Sequence, residues 1–224
     1  MKKEFTREMV DKVLAKIAKK NGFFVSEAHL QTEFIIAAAE LYEDFSYYPE
    51  LVPGRVPTVF EEKYKGKAAH FDLLIKTKTQ NVLIEFKYLT NKFLGEINGM
   101  KQEVKSHMAV DIRRHDCWQD IERIEKFAFE NDSDVDYGYF ILVTNAPAYW
   151  EVKESDSVDN LFRIHEGEHK AGVRKWKDGT KEGTNHGRTT PIETICNYNF
   201  EYKNFSKLPG KYGTFKSLVV EIGK

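Results

Sequence analysis

Only two cysteines, Cys117 and Cys196, stand in 224 residues, too few and too isolated for a disulfide framework or a cysteine-based zinc site. Reduced thiols are expected. No apolar run approaches the length of a membrane span, and the opening Met1-Lys2-Lys3-Glu4-Phe5-Thr6 lacks the apolar core of a signal peptide. A soluble, cytoplasmic chain without membrane contact is therefore expected. Internal repeats, low-complexity stretches, a Walker-type glycine-rich phosphate loop and a serine nucleophile elbow are all missing. So is an excess of positive charge: the formal net charge is -1, whereas a nucleic-acid binder usually carries a basic surplus. That average conceals an uneven distribution. Residues 122–136 are rich in acids, while residues 170–188 hold Lys170, Arg174, Lys175, Lys177, Lys181 and Arg188 against Asp178 and Glu182. Such a basic arm fits either a grip on a nucleic-acid backbone or a solvated loop.

What is present is chemically more pointed. Two short apolar segments, residues 70–75 and 82–88, read as strands, and they place Asp72 on the first and Glu85-Phe86-Lys87 on the second. Side chains alternate along a strand, so Glu85 and Lys87 share one face while Ile84 and Phe86 turn to the other, into a core. Two carboxylates side by side need a neutralising cation, and a hard ion such as Mg2+ prefers a few such oxygens plus waters. Held by Asp72 and Glu85, Mg2+ would polarise a phosphoryl oxygen and acidify a bound water, with Lys87 holding that water or stabilising developing charge. The reaction implied is phosphodiester hydrolysis. The same residues also fit a plain surface reading, in which Asp72 ends a solvated strand face and Glu85 and Lys87 form an exposed pair.

Around this pair the periodicity is readable. Residues 6–20 form a first helix with Met9, Val10, Val13, Leu14 and Ile17 on one side, closed by Asn21-Gly22; its lysine face meets phosphate or simply water. A second helix opens at Ser26 as N-cap, with Leu30, Phe34, Ala37, Ala38 and Leu41 on its apolar face and Glu33 at the border. Prolines 49, 53 and 57 mark a loop, after which residues 58–64 are expected as a strand turned by Lys65-Gly66-Lys67 into the Asp72 strand as a hairpin. Trp118, Ile121, Ile124, Phe127 and Ala128 recur at helical spacing, and residues 137–145 form a continuous apolar run suited to a strand buried on both faces. This helix precedes that strand, as a βαβ crossover requires. Further strands are expected at residues 161–164, 172–176, 194–200 and 217–222, as additions at the sheet edge. His165-Glu166-Gly167-Glu168-His169 matches the zinc-protease pattern HExxH literally. That motif demands a helix, and Gly167 with a strand-like lead-in opposes one, so a polar turn is expected instead.

Asp72 followed by Glu85-x-Lys87 resembles the PD-(D/E)XK nuclease superfamily, the restriction-endonuclease-like fold. Phe71 stands where the family name has proline, a position with no chemistry of its own. The Glu85-Phe86-Lys87-Tyr88 strand, the Asp120-Ile121-Glu122-Arg123 helix, the run 138–145 with Tyr149-Trp150, and residues 162–167 occur together in an order similar to a group of bacterial and archaeal restriction-endonuclease-like proteins, over residues 26–176 or so. The resemblance implies a single α/β domain: a mixed β-sheet core at about residues 26–150 flanked by helices, with a C-terminal β-rich extension at about 151–224. It implies a Mg2+-dependent DNA endonuclease, with Mn2+ able to substitute, and a role in restriction or defence. Asp72 and Glu85 would be the metal ligands, the Phe86 carbonyl and Glu33 would complete the shell, and Lys87 would orient or activate the water. Glu33 fits an ordinary helix glutamate equally well. Asn91, Lys92, Arg113, Arg114 and Arg123 are candidates for phosphate contacts or for support behind the metal ligands, and Arg174 and Lys175 of the basic arm for phosphate contacts; the Asp120 to Arg123 spacing equally allows a local helix ion pair. Double-strand cleavage would favour a homodimer, since antiparallel strands call for two sites related by a two-fold axis. Two other readings stay open: a nucleic-acid-binding or scaffold domain without cleavage, and a ribonuclease of the same fold.

Overall fold

A computed structural model describes residues 3–53, 56–64, 70–131, 133–152 and 156–223. Helix α1 (Arg7–Asn21) starts at Thr6, whose hydroxyl accepts from the Met9 amide, and stops at Gly22 with φ +70°. Helix α2 (Glu27–Leu41) starts at Ser26, whose hydroxyl accepts from the His29 amide at 3.1 Å. Both helices lie where the sequence places them because cap chemistry and apolar spacing agree there.

The central sheet has six strands: β1 (Ser46–Pro49), β2 (Leu73–Lys76), β3 (Asn81–Leu89), β6 (Tyr137–Thr144), β12 (Thr214–Gly223) and β11 (Tyr202–Lys207), side by side in that order. Only β3 and β6 run parallel, with helix α4 (Val110–Ala128) as their crossover. Every residue of β6 is buried. Tyr139, Ile141 and Val143 face α1 and α2, and Phe140 and Leu142 face α4, so the continuous apolar run serves two cores. Gly138 belongs to the α4 face. A Cβ there would stand 2.6 Å from the Ile124 side chain and 2.7 Å from the Leu83 carbonyl, and backbone cannot yield. Gly138→Ala is expected to cost about 1–3 kcal/mol by overpacking, read as a lowered midpoint in urea denaturation.

Several expectations are corrected. Residues 58–64 form helix α3 (Thr58–Lys63), not a strand. Phe60 and Tyr64, one turn apart, stack at 4.7 Å, and Phe60 packs on Phe127 at 5.1 Å, so tertiary contact with α4 overrides the β-branched start of the segment. The partners of β2 are β1 and β3; the expected turn at residues 65–67 lies outside the described residues. Residues 217–222 are not an edge addition: β12 pairs along the whole of β6 and is covered on its other side by β11. Phe215 and Val219 enter one core, Leu218, Val220 and Ile222 the other.

Residues 161–164 form a 3-10 turn (Asn160–Phe162) rather than a strand, since the Phe162 amide closes back on the Asp159 carbonyl at 2.8 Å. The expected strand at 194–200 splits into β9 (Ile192–Thr194) and β10 (Tyr198–Phe200). The Glu125 carboxylate captures the Ile195 and Cys196 amides at 3.0 and 3.1 Å and removes them from any ladder. Short β7 (Gly167–His169) pairs with β10, and β8 (Gly172–Arg174) with β9; a four-residue helix α5 (Glu182–Asn185) lies between β8 and β9. A hairpin of β4 (Phe93–Ile97) and β5 (Met100–Val104) turns at Asn98-Gly99, both at positive φ, the geometry an Asn-Gly pair favours. Among the described residues no helix is long and apolar enough to cross a membrane.

Candidate functional site

The site grows from an unequal pairing of strands. β2 begins at Leu73, opposite Ile84, so β3 outruns it, and the amides of Phe86 and Tyr88 face a side on which β2 no longer continues. Buried amides left without acceptors would be costly. Two carboxylates take the place of the strand: the Phe86 amide donates to Asp72 Oδ2 at 2.7 Å, and the Tyr88 amide donates to Glu27 Oε2 at 2.7 Å. Asp72 and Glu27 are thereby fixed along the open edge of β3.

The other partners come from α4. Phe86 turns toward α2 and meets Phe34 at 5.1 Å, while Glu85 and Lys87 turn toward α4. Arg123 Nη1 approaches Glu85 Oε1 at 2.9 Å, and Lys87 Nζ approaches Asp120 Oδ2 at 2.5 Å. Lys87 also donates to the Phe86 carbonyl at 3.2 Å. Asp120 and Arg123, one helical turn apart, lie 3.5 Å from each other. Glu85 is 3% exposed and Asp120 6%, so this is a buried polar cluster and not the solvated strand face. On its open side lies a cleft of about 440 Å³ lined by Glu27, Lys87, His107, Arg113, Asp116, Gln119, Asp120 and Arg188.

Charge in the cluster is unbalanced. The carboxylates of Glu27, Asp72, Glu85 and Asp120 act on one another, and against them stand the cations of Lys87 and Arg123. Burial raises the Glu85 carboxyl well above its ordinary value, and Asp120 and Asp72 raise it further against the opposing pull of Arg123 and Lys87. Burial likewise raises Glu27, against the pull of Lys87 and the Tyr88 amide. Burial disfavours the Lys87 ammonium, yet Asp120, Glu27 and Glu85 overcome it and hold the group charged, well above the ordinary lysine range.

A pH dependence follows. An acid whose folded value is raised binds more protons folded than unfolded, so without a divalent cation stability falls as pH climbs from about 4.5 toward the elevated Glu85 value. Urea titrations in chelator between pH 5 and pH 8 should show that fall, and Glu85→Gln should flatten it. Identical slopes for the two proteins would place the buried charge elsewhere.

Can the residues take a metal? Among the described residues no three His, Cys, Asp or Glu side chains converge as a self-sufficient metal cage. Mg2+ does not require one, since it commonly keeps several waters and uses one or two carboxylates. Asp72 is engaged by protein through Oδ2 and Glu85 through Oε1, which leaves Oδ1 and Oε2 as the remaining acceptors of each group. Glu85 Oε1 and Asp120 Oδ2 are buried without a well-directed hydrogen bond, held by ion pairing alone. With Glu27 and Glu85 ionised, the four carboxylates exceed the two cations by two charges, which a hard divalent cation would neutralise.

Other sequence candidates are dispersed. Glu33 is engaged by Lys20 at 2.8 Å and His29 at 3.8 Å, and the α2 carboxylate that reaches β3 is Glu27. Arg113 lines the cleft beside Asp116. Lys92 pairs with Glu103 on the β4–β5 hairpin at 2.9 Å, and Asn91 is tied to Asn145 at 2.7 Å. Arg114 is an internal anchor, bound to Asp159 at 2.6 Å and to the Ala148 carbonyl. Arg174 is 6% exposed, lies 3.5 Å over the Trp118 ring and donates to Thr194 and the Lys170 carbonyl. Burial lowers its pKa to about 10.

Three further cations of the basic arm are paired: Lys170 with Glu168, Lys177 with Asp156, Arg188 with Asp116. Lys175 is exposed. The HExxH residues do not form a helix. His169 lies in β7 with Nε2 against the His165 carbonyl, and Glu166 accepts from the Tyr202 amide.

Sequence reasoning missed Glu27 and Asp120 as members of the cluster. Glu27 follows an N-cap serine, where an acid is ordinary helix chemistry. Asp120 carried the signal of its spacing to Arg123 and of its place in the Asp120-Ile121-Glu122-Arg123 helix, neither of which put it beside Lys87. Comparison with protein-family models, curated proteins and solved structures found no match to the chain.

Proposed function

We propose that the protein is a metal-dependent nuclease of restriction-endonuclease-like fold that hydrolyses phosphodiester bonds in DNA. One observation carries this reading: Asp72 and the Glu85-x-Lys87 strand, distant in sequence, meet through the 2.7 Å bond from the Phe86 amide to Asp72, inside a buried cluster whose Glu27, Lys87 and Asp120 line a cleft. Asp72 and Glu85, with the Phe86 carbonyl, would hold Mg2+ or Mn2+. The bound cation supplies Lewis-acid stabilisation of the phosphoryl oxygens and a more acidic water. Lys87, kept charged by Asp120 and Glu27, stabilises negative charge developing on the reacting phosphate. Arg113 on the cleft wall is placed to meet a neighbouring phosphate once Asp116 shares it.

The engagement of Glu85 by Arg123 and of Lys87 by Asp120 also favours a second reading, a nucleic-acid-binding domain in which the acidic cluster is purely structural. Supercoiled plasmid, linear and single-stranded DNA, and matched RNA, each incubated with Mg2+, Mn2+ or chelator, separate these readings. Metal-dependent nicking of DNA is the expected result. Cleavage confined to RNA would make the protein a ribonuclease, and retention of DNA in a gel shift without cleavage would favour the binding domain.

A further inference from the structure

Arg123 is held from four directions. Nη1 meets Glu85 Oε1 at 2.9 Å and Asp120 Oδ1 at 3.5 Å, Nη2 donates to the His70 carbonyl, and the guanidinium lies 4.7 Å from the centre of the Phe71 ring. His70 and Phe71 directly precede Asp72, so one planar group ties the segment that delivers the first carboxylate to the second carboxylate itself. An arginine used to grip substrate phosphate would keep its fork open, whereas here both terminal nitrogens are committed to protein and the side chain is only 19% exposed.

We propose that Arg123 is the positioning residue of the site: by fixing Glu85 through Oε1 and the Asp72 segment through the His70 carbonyl, it orients the two carboxylates for a shared divalent cation. This inference rests on the metal-dependent reading of Asp72 and Glu85, and chooses among the roles that sequence alone allows Arg123: phosphate contact, support behind the ligands, or a local helix ion pair. Outer-shell partners that orient ligating carboxylates act on metal affinity, commonly by ten- to a hundredfold.

The sign of the effect separates geometry from charge. Removing a positive charge beside two carboxylates strengthens cation binding if charge is all that matters, and weakens it if orientation matters more. Isothermal titration with Mn2+ alone, on the full chain without nucleic acid, reads that sign, with circular dichroism confirming that each protein is folded. Arg123→Gln is expected to weaken Mn2+ binding by about ten- to a hundredfold, and Arg123→Lys, which keeps the charge but has no fork to bridge Glu85 and His70, to recover only part of the loss. Should Arg123→Gln fail to fold, Arg123→Lys carries the comparison by itself. Unchanged or tighter binding in Arg123→Gln, or full recovery in Arg123→Lys, overturns the positioning role and leaves the metal reading standing. Absence of Mn2+ binding by the wild-type chain overturns the metal reading, and the positioning role with it.

Discussion

Lys87→Ala is expected to reduce metal-dependent DNA cleavage by at least about a hundredfold, the usual consequence of removing one preorganised charge from a reacting centre. Three carboxylates hold the Lys87 ammonium charged despite its burial, and its own carbonyl neighbour, Phe86, fixes its direction at 3.2 Å. No other described lysine reaches Glu85 or Asp120 in a way that could replace it. The loss should fall on kcat rather than on DNA retention, because a single cleft cation contributes little to overall phosphate affinity. Asp72→Ala should abolish cleavage to the same extent for a different reason. On the proposed reading it removes a metal ligand, and it also strips the Phe86 amide of its acceptor. Asp72→Asn, which can still accept that hydrogen bond, separates the two roles: a folded, inactive Asp72→Asn protein assigns the loss to the ligand. Steady-state cleavage of a defined duplex, with thermal melts of each variant, measures both.

Glu122→Ala is expected to lower stability by about 3–5 kcal/mol, the cost of breaking a buried ion pair from one side. Glu122 is fully buried on α4 and gathers Lys63, the Tyr64 hydroxyl at 2.6 Å and the Glu193 amide at 2.8 Å, with Lys126 at 3.8 Å. It joins α3, α4 and β9, three elements whose order in the sequence gives no hint that they meet. Its removal takes one carboxylate partner from the Lys63 ammonium, which keeps the Pro191 carbonyl at 2.7 Å, and from the Tyr64 hydroxyl and the Glu193 amide. A chain of this size should melt roughly 10 °C lower. Because α4 also carries Asp120 and Arg123, metal binding should weaken as the helix loosens, even though Glu122 touches neither Asp72 nor Glu85.

Helices with agreeing local and tertiary preferences were legible in the residues. Thr6, Ser26 and the Trp118-to-Phe127 periodicity located α1, α2 and α4, and the unbroken apolar run at 137–145 located the doubly covered β6. The shared face of Glu85 and Lys87 on β3 was legible as well, because alternation alone puts them there, whereas Asp72, expected on the preceding strand, lies just before β2. What failed were segments decided by distant partners. α3 is a helix because Phe60 and Tyr64 pack on α4, and the 194–200 segment is broken because Glu125 claims its amides. Arg174 looked like a surface cation and is a buried one, stacked on Trp118. Periodicity reports which face is apolar, and it is silent about which charged side chain will be covered by a segment folding back from 50 residues away. For the same reason Glu27, identical in appearance to any first-turn acid, was invisible as the acceptor of the Tyr88 amide.

Diffraction from crystals of the protein soaked in Mn2+, recorded at a wavelength where manganese scatters anomalously, shows whether Asp72 and Glu85 hold a cation. The expected result is one strong peak within bonding distance of Asp72 and Glu85 and near the Phe86 carbonyl, lost in Asp72→Asn crystals. A cluster that stays free of the ion at concentrations where Mn2+ binds elsewhere on the chain would contradict the metal reading, and would leave Asp72, Glu85 and Lys87 as a structural ion network.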